Sequence, residues 1–309
     1  MNFLKPAAPK GFWFLLLACS LFLNGCFIKS IAVNSIGDSL AGSGDTWSSD
    51  DDPELVRQAL PFSLKLIESV LAATPNHTAL LTAACQDFTE YSYAFVQQDA
   101  EFIADKDYPK SEELKTRAKK LYLRAYAYGL RALNSRHSSF SKDLFTDPKK
   151  AVLEADKDDV TALYWTGVAW MAAISLGKDD PNLLSDLPQA EALVYRAYAL
   201  EPDYDEGAIE SFLITYEGGK PAAMGGSAQK ARDHFKRAIA LSNGTQLGPY
   251  LNLAEAVDVQ TQNEAEFVDL LNQALAIDVE KDKAHRLVNL IMRKRAQWLL
   301  TQVDSIFVK

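Results

Sequence analysis

Cys26 is the residue best placed to do chemistry, and the chemistry is acylation. Lys5 and Lys10 precede an uncharged stretch from Gly11 to Leu23, GFWFLLLACSLFL, which ends in Leu23-Asn24-Gly25-Cys26. A positive leader followed by a short apolar run has the form of a secretory signal and is too short for a comfortable membrane span. A hydrophobic residue, a spacer and a small residue before cysteine resemble a lipobox. Cleavage before Cys26 leaves a lipidated cysteine at the new N-terminus. Each buried methylene contributes about 0.8 kcal/mol, so one acyl chain holds weakly and two or more hold firmly. Two other readings exist. One is an uncleaved anchor; the other is cleavage at Leu16-Leu17-Ala18-Cys19, which strands Leu21 to Leu23 after the cut. Phe27 rather than an aspartate follows the cysteine, which leans towards the outer membrane.

The other reactive residue types assemble into no catalytic pattern. The histidines are His77, His137, His234 and His285. None stands in HExxH, and no second histidine or cysteine lies at ligand spacing. There is no GxSxG elbow, and Gly219-Lys220 is followed by Pro221, which removes a backbone donor that a phosphate loop needs. Asp203-x-Asp205-x-Gly207 hints at a calcium loop. Its glycine falls one position early and Ile214 occupies the place of the closing acid, so a helix start over Asp203–Glu206 is the better reading. Cys85, within LLTAACQDF, reads as a buried small hydrophobe. Arg293-Lys294-Arg295 reads as a solvated face or partner contact. The residues thus point to a non-enzymatic protein with no cofactor and no metal.

Charge and cysteine use narrow the partners. The formal net charge is −9, and removing residues 1–25 takes away two lysines and no acids, giving −11. Such a chain is a poor nucleic-acid binder. Cys85 is then alone beside an acylated Cys26, so an oxidising compartment is implied without an intramolecular disulfide. At 48% apolar residues the chain has enough to bury one large core or a row of small ones.

The elements that carry these residues read as helix after helix. Residues 26–51, rich in glycine, serine and aspartate in their second half, read as a lipidated N-terminus and tether, with contacts near Ile31 and Val33. Residues 52–309 read as one α-helical domain. Asp52-Pro53-Glu54 and Asp147-Pro148 are helix starts: an oxygen acceptor at the cap, then proline in the first turn. Prolines at 75, 109, 148, 181, 202, 221 and 249 separate apolar-periodic segments, and period-two alternation is lacking.

Spacing within the segments adds a repeat. Ala190-x3-Val194-x2-Ala197-x4-Pro202, Ala231-x3-Phe235-x2-Ala238-x4-Asn243 and Phe267-x3-Leu271-x2-Ala274-x4-Val279 share one frame, and Ser63-x3-Ile67-x2-Val70-x4-Pro75 repeats it near the start. Positions 0, 4 and 7 share a helical face, small residues let a partner helix approach, and the frame resembles the second helix of a tetratricopeptide (TPR) repeat. The expected fold is all-α: a TPR-like array of helical hairpins, a superhelix that leaves a concave face or closes around a pore. Val160–Leu176, VTALYWTGVAWMAAISL, carries no charge. It reads as a helix enclosed by protein rather than lipid, with Gly167 permitting a close helix crossing. Most aromatics must be core. Tyr164, Trp165, Trp170, Phe212 and Tyr216 are candidates for the wall of a cavity holding an apolar small ligand.

DDPELVRQALPFSLKLIESVLAATPNHTALLTAAC is similar to the opening helices of the TatT family, the T components of tripartite ATP-independent periplasmic (TRAP) transporters. The resemblance continues through YAYGLRAL, ALYWTGVAWMAAISL, PAAMGGSAQKARDHFKRAIALS and LVNLIMRKRAQWLL, nearly all of residues 26–309. It implies a periplasm-facing lipoprotein of TPR-like hairpins that forms homotrimers around a pore-containing body. It also implies docking of a solute-binding protein and an apolar or amphipathic ligand in the protomer pore. No catalytic residue comes with it. Pro221 to Ser227 matches the family's Gly-Gly segment, so Gly225 and Gly226 carry over as a tight turn into the helix at Ser227. The free backbone N–H groups there are either an anion site or plain loop. The alternative to the transport reading is a TPR-type lipoprotein scaffold for outer-membrane or cell-wall assembly.

Overall fold

The structure is a computed structural model that describes residues 34–42 and 44–308. Among these residues there are helices and no strands. Cys26, Ile31 and Val33 lie outside them. Within the stretch read as a tether, residues 34–41 and Gly44–Ser48 are helical.

The main helices, in chain order, are α1 (Pro53–Ala73), α2 (Thr78–Ser92), α3 (Tyr108–Arg136), α4 (Val160–Ser175), α5 (Leu187–Leu200), α6 (Tyr204–Gly219), α7 (Ala228–Leu241), the shorter α8 (Gly248–Leu253), α9 (Glu264–Leu275) and α10 (Arg286–Thr301). The expected starts hold. Asp52 accepts hydrogen bonds at 3.0 Å from the backbone N–H of Glu54 and of Leu55, with Pro53 in the first turn. Asp147 accepts from Lys150 N at 3.2 Å ahead of the short helix Pro148–Ala151. Two helices widen partway. α2 passes through a π-helical turn, Tyr93–Gln97, into Gln98–Ile103, and α8 passes through Ala254–Asp258 into Val259–Thr261.

Neighbours in sequence are neighbours in space: α2 on α3, α3 on α4, α4 on α5, α6 on α7. The repeat frame is the packed face in each hairpin. Ala190, Val194 and Ala197 are fully buried on α5, as are Phe267, Leu271 and Ala274 on α9; Ala231 and Ala238 are buried on α7, with Phe235 half-buried. The Ser63 frame lies on α1, which precedes its partner α2 and so opens a hairpin instead of completing one.

α4 is enclosed by protein. Leu163, Thr166, Ala169, Trp170 and Ala173 have no exposed surface. Gly167 is the crossing point: a Cβ there would stand 2.6 Å from Val194 Cγ2 and 3.1 Å from the Ala190 carbonyl. The small residues of the α5 frame and the glycine of α4 are thus two halves of one close contact. No helix of the described residues is long and apolar enough to cross a membrane.

The chain then returns on itself, because α10 packs against α1 and against Gly44–Ser48. Arg286 Nε donates to the Ser49 carbonyl at 2.9 Å. Phe102 and Trp298 rings lie 5.0 Å apart. Arg295, expected on a solvated face or at a partner contact, is 7% exposed. Its guanidinium donates to Glu101 at 2.6 Å and to both oxygens of Glu255 at 2.6 and 2.9 Å. The physical reason is position. Arg295 falls on the buried stripe of α10 with Met292, Ala296 and Leu299, and a cation there must bring its counter-charges with it.

Candidate functional site

α4 and α6 carry the aromatic residues singled out in the sequence, and the structure brings four of the five into one run. Tyr164 is 6% exposed, and its ring lies 5.1 Å from Trp165, 5.6 Å from Tyr204 and 6.3 Å from Phe212. Phe212 stacks on Tyr216 at 6.2 Å with planes 8° apart, one helical turn further along α6. Trp165, Phe212 and Tyr216 are half-buried, so the run shows an edge to solvent. Trp170 lies elsewhere, fully buried against Tyr126 at 4.1 Å and Phe145 at 5.7 Å.

The hydroxyls of this wall are committed to the frame. Tyr164 donates to the Ala208 carbonyl at 3.2 Å, and the Tyr204 hydroxyl donates to Thr161 Oγ1 at 3.2 Å. Tyr216 donates to Glu191, and Lys220 Nζ reaches the same carboxylate at 2.7 Å while lying 4.7 Å from the Tyr216 ring centre. The rings therefore present apolar faces with fixed orientation, which suits an apolar or amphipathic guest.

Two acids on α2 were not singled out in the sequence. Asp87 and Glu90 stand three residues apart on α2, with Gln86 donating to Glu90 at 3.0 Å. Burial and then the charge of Glu90 push the Asp87 carboxyl up to about 8. Burial pushes Glu90 up to about 7 against the hydrogen bond from Gln86, and the charge of Asp205 adds to the rise. Glu90 nonetheless keeps accessible surface. Tyr164, whose hydroxyl is raised by burial first, feels both Glu90 and Asp205, so Glu90 and the aromatic wall belong to one neighbourhood. The signal in the sequence was the i, i+3 spacing of Asp87 and Glu90, which marks a shared helical face but not what that face meets.

Set against known proteins, the family profile described as TRAP transporter T-component matches residues 49–307. This chain belongs to the T-component family of TRAP transporters. An uncharacterized protein of Treponema pallidum (strain Nichols) is 30% identical over 309 residues, covering 94% of this chain and 96% of its own length. The family places the chain with a transporter system and agrees with the resemblance read from the residues.

The Gly-Gly segment of this T component is a turn built from its own backbone. Gly225 is left-handed at φ 89°, and a side chain at Gly226 would put its Cβ 1.8 Å from the Lys220 carbonyl oxygen. Ser227 caps α7: its N–H donates to the Glu217 carbonyl at 2.8 Å and its Oγ accepts from Lys230 N at 3.2 Å. Both polar groups of Ser227 are spent on the turn. Cys85 is buried and free, and burial pushes its thiol up to about 12, far from a reactive thiolate.

Proposed function

We propose that this T component is a non-enzymatic lipoprotein, held by Cys26 on the periplasmic side of the outer membrane. Its helical array docks the solute-binding protein of a TRAP transporter and holds an apolar or amphipathic small molecule without transforming it. The observation that carries this reading is the aromatic run Tyr164–Trp165–Phe212–Tyr216, which reaches from buried Tyr164 to the half-buried rings of Trp165, Phe212 and Tyr216, in a chain of the T-component family. The hairpin array curls into a superhelix around a pore with this run on its wall. Three protomers assemble around the pore-containing body. The family match favours transport over an envelope-assembly scaffold.

Affinity capture of the tagged chain from its native envelope tests the docking, with a solute-binding protein expected at fixed stoichiometry. Capture that fails with every solute-binding protein of the host defeats the transport reading. Mass spectrometry of the extracted chain tests the wall: a small apolar molecule is expected to co-purify, and Phe212→Ala with Tyr216→Ala is expected to lower its yield at least tenfold. An unchanged yield in the double variant removes the wall from the site.

A further inference from the structure

The first helix of the array is apolar on two sides, and only one side is packed. Val56, Leu60, Leu64, Ile67 and Leu71 of α1 are buried. Leu55, Phe62 and Leu66 are 57%, 75% and 38% exposed. At 3.6 residues per turn these three positions fall within about 40° of one another, so they form one outward stripe over about three turns. Gln58, Lys65 and Ser69 are exposed along its edge. A single exposed leucine is ordinary, but a row that ends in an open phenylalanine and leucine marks a contact surface.

The chain before α1 shows what the stripe can reach. His77, which caps α2 just beyond the end of α1, donates from Nε2 to the Asn34 carbonyl at 3.2 Å while its Nδ1 accepts from Leu80 N at 3.2 Å. The Ser49 carbonyl is held by Arg286, close to the start of α1. Residues 34–51 therefore run back along α1, and the chain leaves the body beside the C-terminal end of that helix. Eight residues separate Asn34 from Cys26, a reach of at most about 28 Å. Along α1, Leu66 stands about 10 Å and Phe62 about 17 Å from the end at Ala73. Ile36, two residues inside the exit, is exposed as well. An acylated Cys26 thus brings a bilayer within reach of Phe62 and Leu66. The chain is acidic, with a formal charge of −9, so what this face offers to lipid is apolar contact and not charge attraction.

We propose that the outer face of α1 rests on the lipid surface, with Phe62 and Leu66 seated among the head groups. This rests on the acylation of Cys26. The acyl chains supply the hold, and the stripe supplies orientation: tether and stripe are two points of contact, which fix the side of the array turned towards soluble partners.

The test uses the acylated full chain in vesicles of phosphatidylethanolamine and phosphatidylglycerol. An environment-sensitive fluorophore is placed on Phe62→Cys, on Leu66→Cys or, as a control, on Lys236→Cys of α7, where Lys236 is exposed. Cys85 is buried and out of reach of the label. Lipids brominated along their acyl chains are expected to quench the labels at 62 and 66 at least twofold and to leave the label at 236 unchanged. Flotation of the same vesicles reads the anchor separately. Protein that floats with both stripe labels unquenched overturns the proposal and leaves acylation standing; protein that does not float overturns both. Equal quenching at all three positions overturns it, because the body then has no fixed side. So does cross-linking of Phe62→Cys to itself by a short bis-maleimide, which makes the stripe an interface between copies. Two positions read the same face, so if one variant loses its circular dichroism the other decides.

Discussion

Arg295 holds carboxylates from two other stretches of chain, Glu101 and Glu255, while itself only 7% exposed. Removing one partner of a buried pair leaves an uncompensated charge, at a cost of roughly 3–5 kcal/mol. Arg295→Ala is therefore expected to lower stability by about that amount in urea unfolding; a loss below about 1 kcal/mol would show that the pin is solvated. Asp87 makes the opposite kind of prediction. Its folded pKa is raised to about 8, above the ordinary carboxylate value, so the folded state binds the proton more tightly than the unfolded state. The site therefore favours the fold at acid pH and disfavours it increasingly as pH rises from about 4 to 8, with Glu90 on the same helix face adding repulsion as it ionises. Asp87→Asn is expected to raise Tm over wild type at pH 8 and to match it at pH 4. Identical Tm values at both pH values would remove the desolvated acid pair from this picture.

At the scale of elements, the hairpins stand on matched small residues. A Cβ at Gly167 would stand 2.6 Å from Val194 Cγ2 and 3.1 Å from the Ala190 carbonyl, so a side chain there forces the packing to shift. Gly167→Val is expected to cost about 1–3 kcal/mol by overpacking, read as a lower urea midpoint with unchanged slope. An unchanged midpoint would mean that α4 and α5 separate freely. The frame Ala190-x3-Val194-x2-Ala197 was legible because it is local: three residues on one helical face, a turn apart, whose size the crossing dictates. Helix starts at Asp52 and Asp147 were legible for the same reason, since cap and proline act within four residues. The π-helical turns were not. Each borders a cavity, one of about 240 Å³ touching Ala94 and Phe95 and one of about 180 Å³ touching Ala256 and Val257. An extra residue in a turn is tolerated where neighbouring elements make room, and no spacing in YAFVQ or AEAVD announces that.

At the scale of the whole molecule, α10 closes the array against α1, and Arg286, Arg295 and the Phe102–Trp298 ring pair lie at that closure. The proposed anchor makes a prediction at the same scale. Cys26→Ser is expected to abolish labelling by radioactive palmitate and to move the protein from the membrane fraction to the soluble one. A variant still labelled and still sedimenting with membranes would place the attachment elsewhere. The proposed trimer is expected as a single species of three chain masses in sedimentation equilibrium of the detergent-extracted protein, and a monomer at micromolar concentration would count against it.

What the sequence determined by itself was the all-α class, the helix boundaries at prolines and caps, the enclosed uncharged helix, the family, and the aromatic residues from which a wall could be made. All of these depend on residue type at separations of a few positions, where backbone geometry leaves little choice. Only the tertiary structure decided which aromatics meet, since Trp170 turns towards Tyr126 and Phe145 while Trp165 stays with Tyr164. It also decided that Arg295 is a pin, and that Asn34 comes to rest beside His77, just beyond the end of α1. Those outcomes depend on which faces of distant helices meet, and that is set by the sum of many packing contacts, none of which is written in the spacing of any one segment.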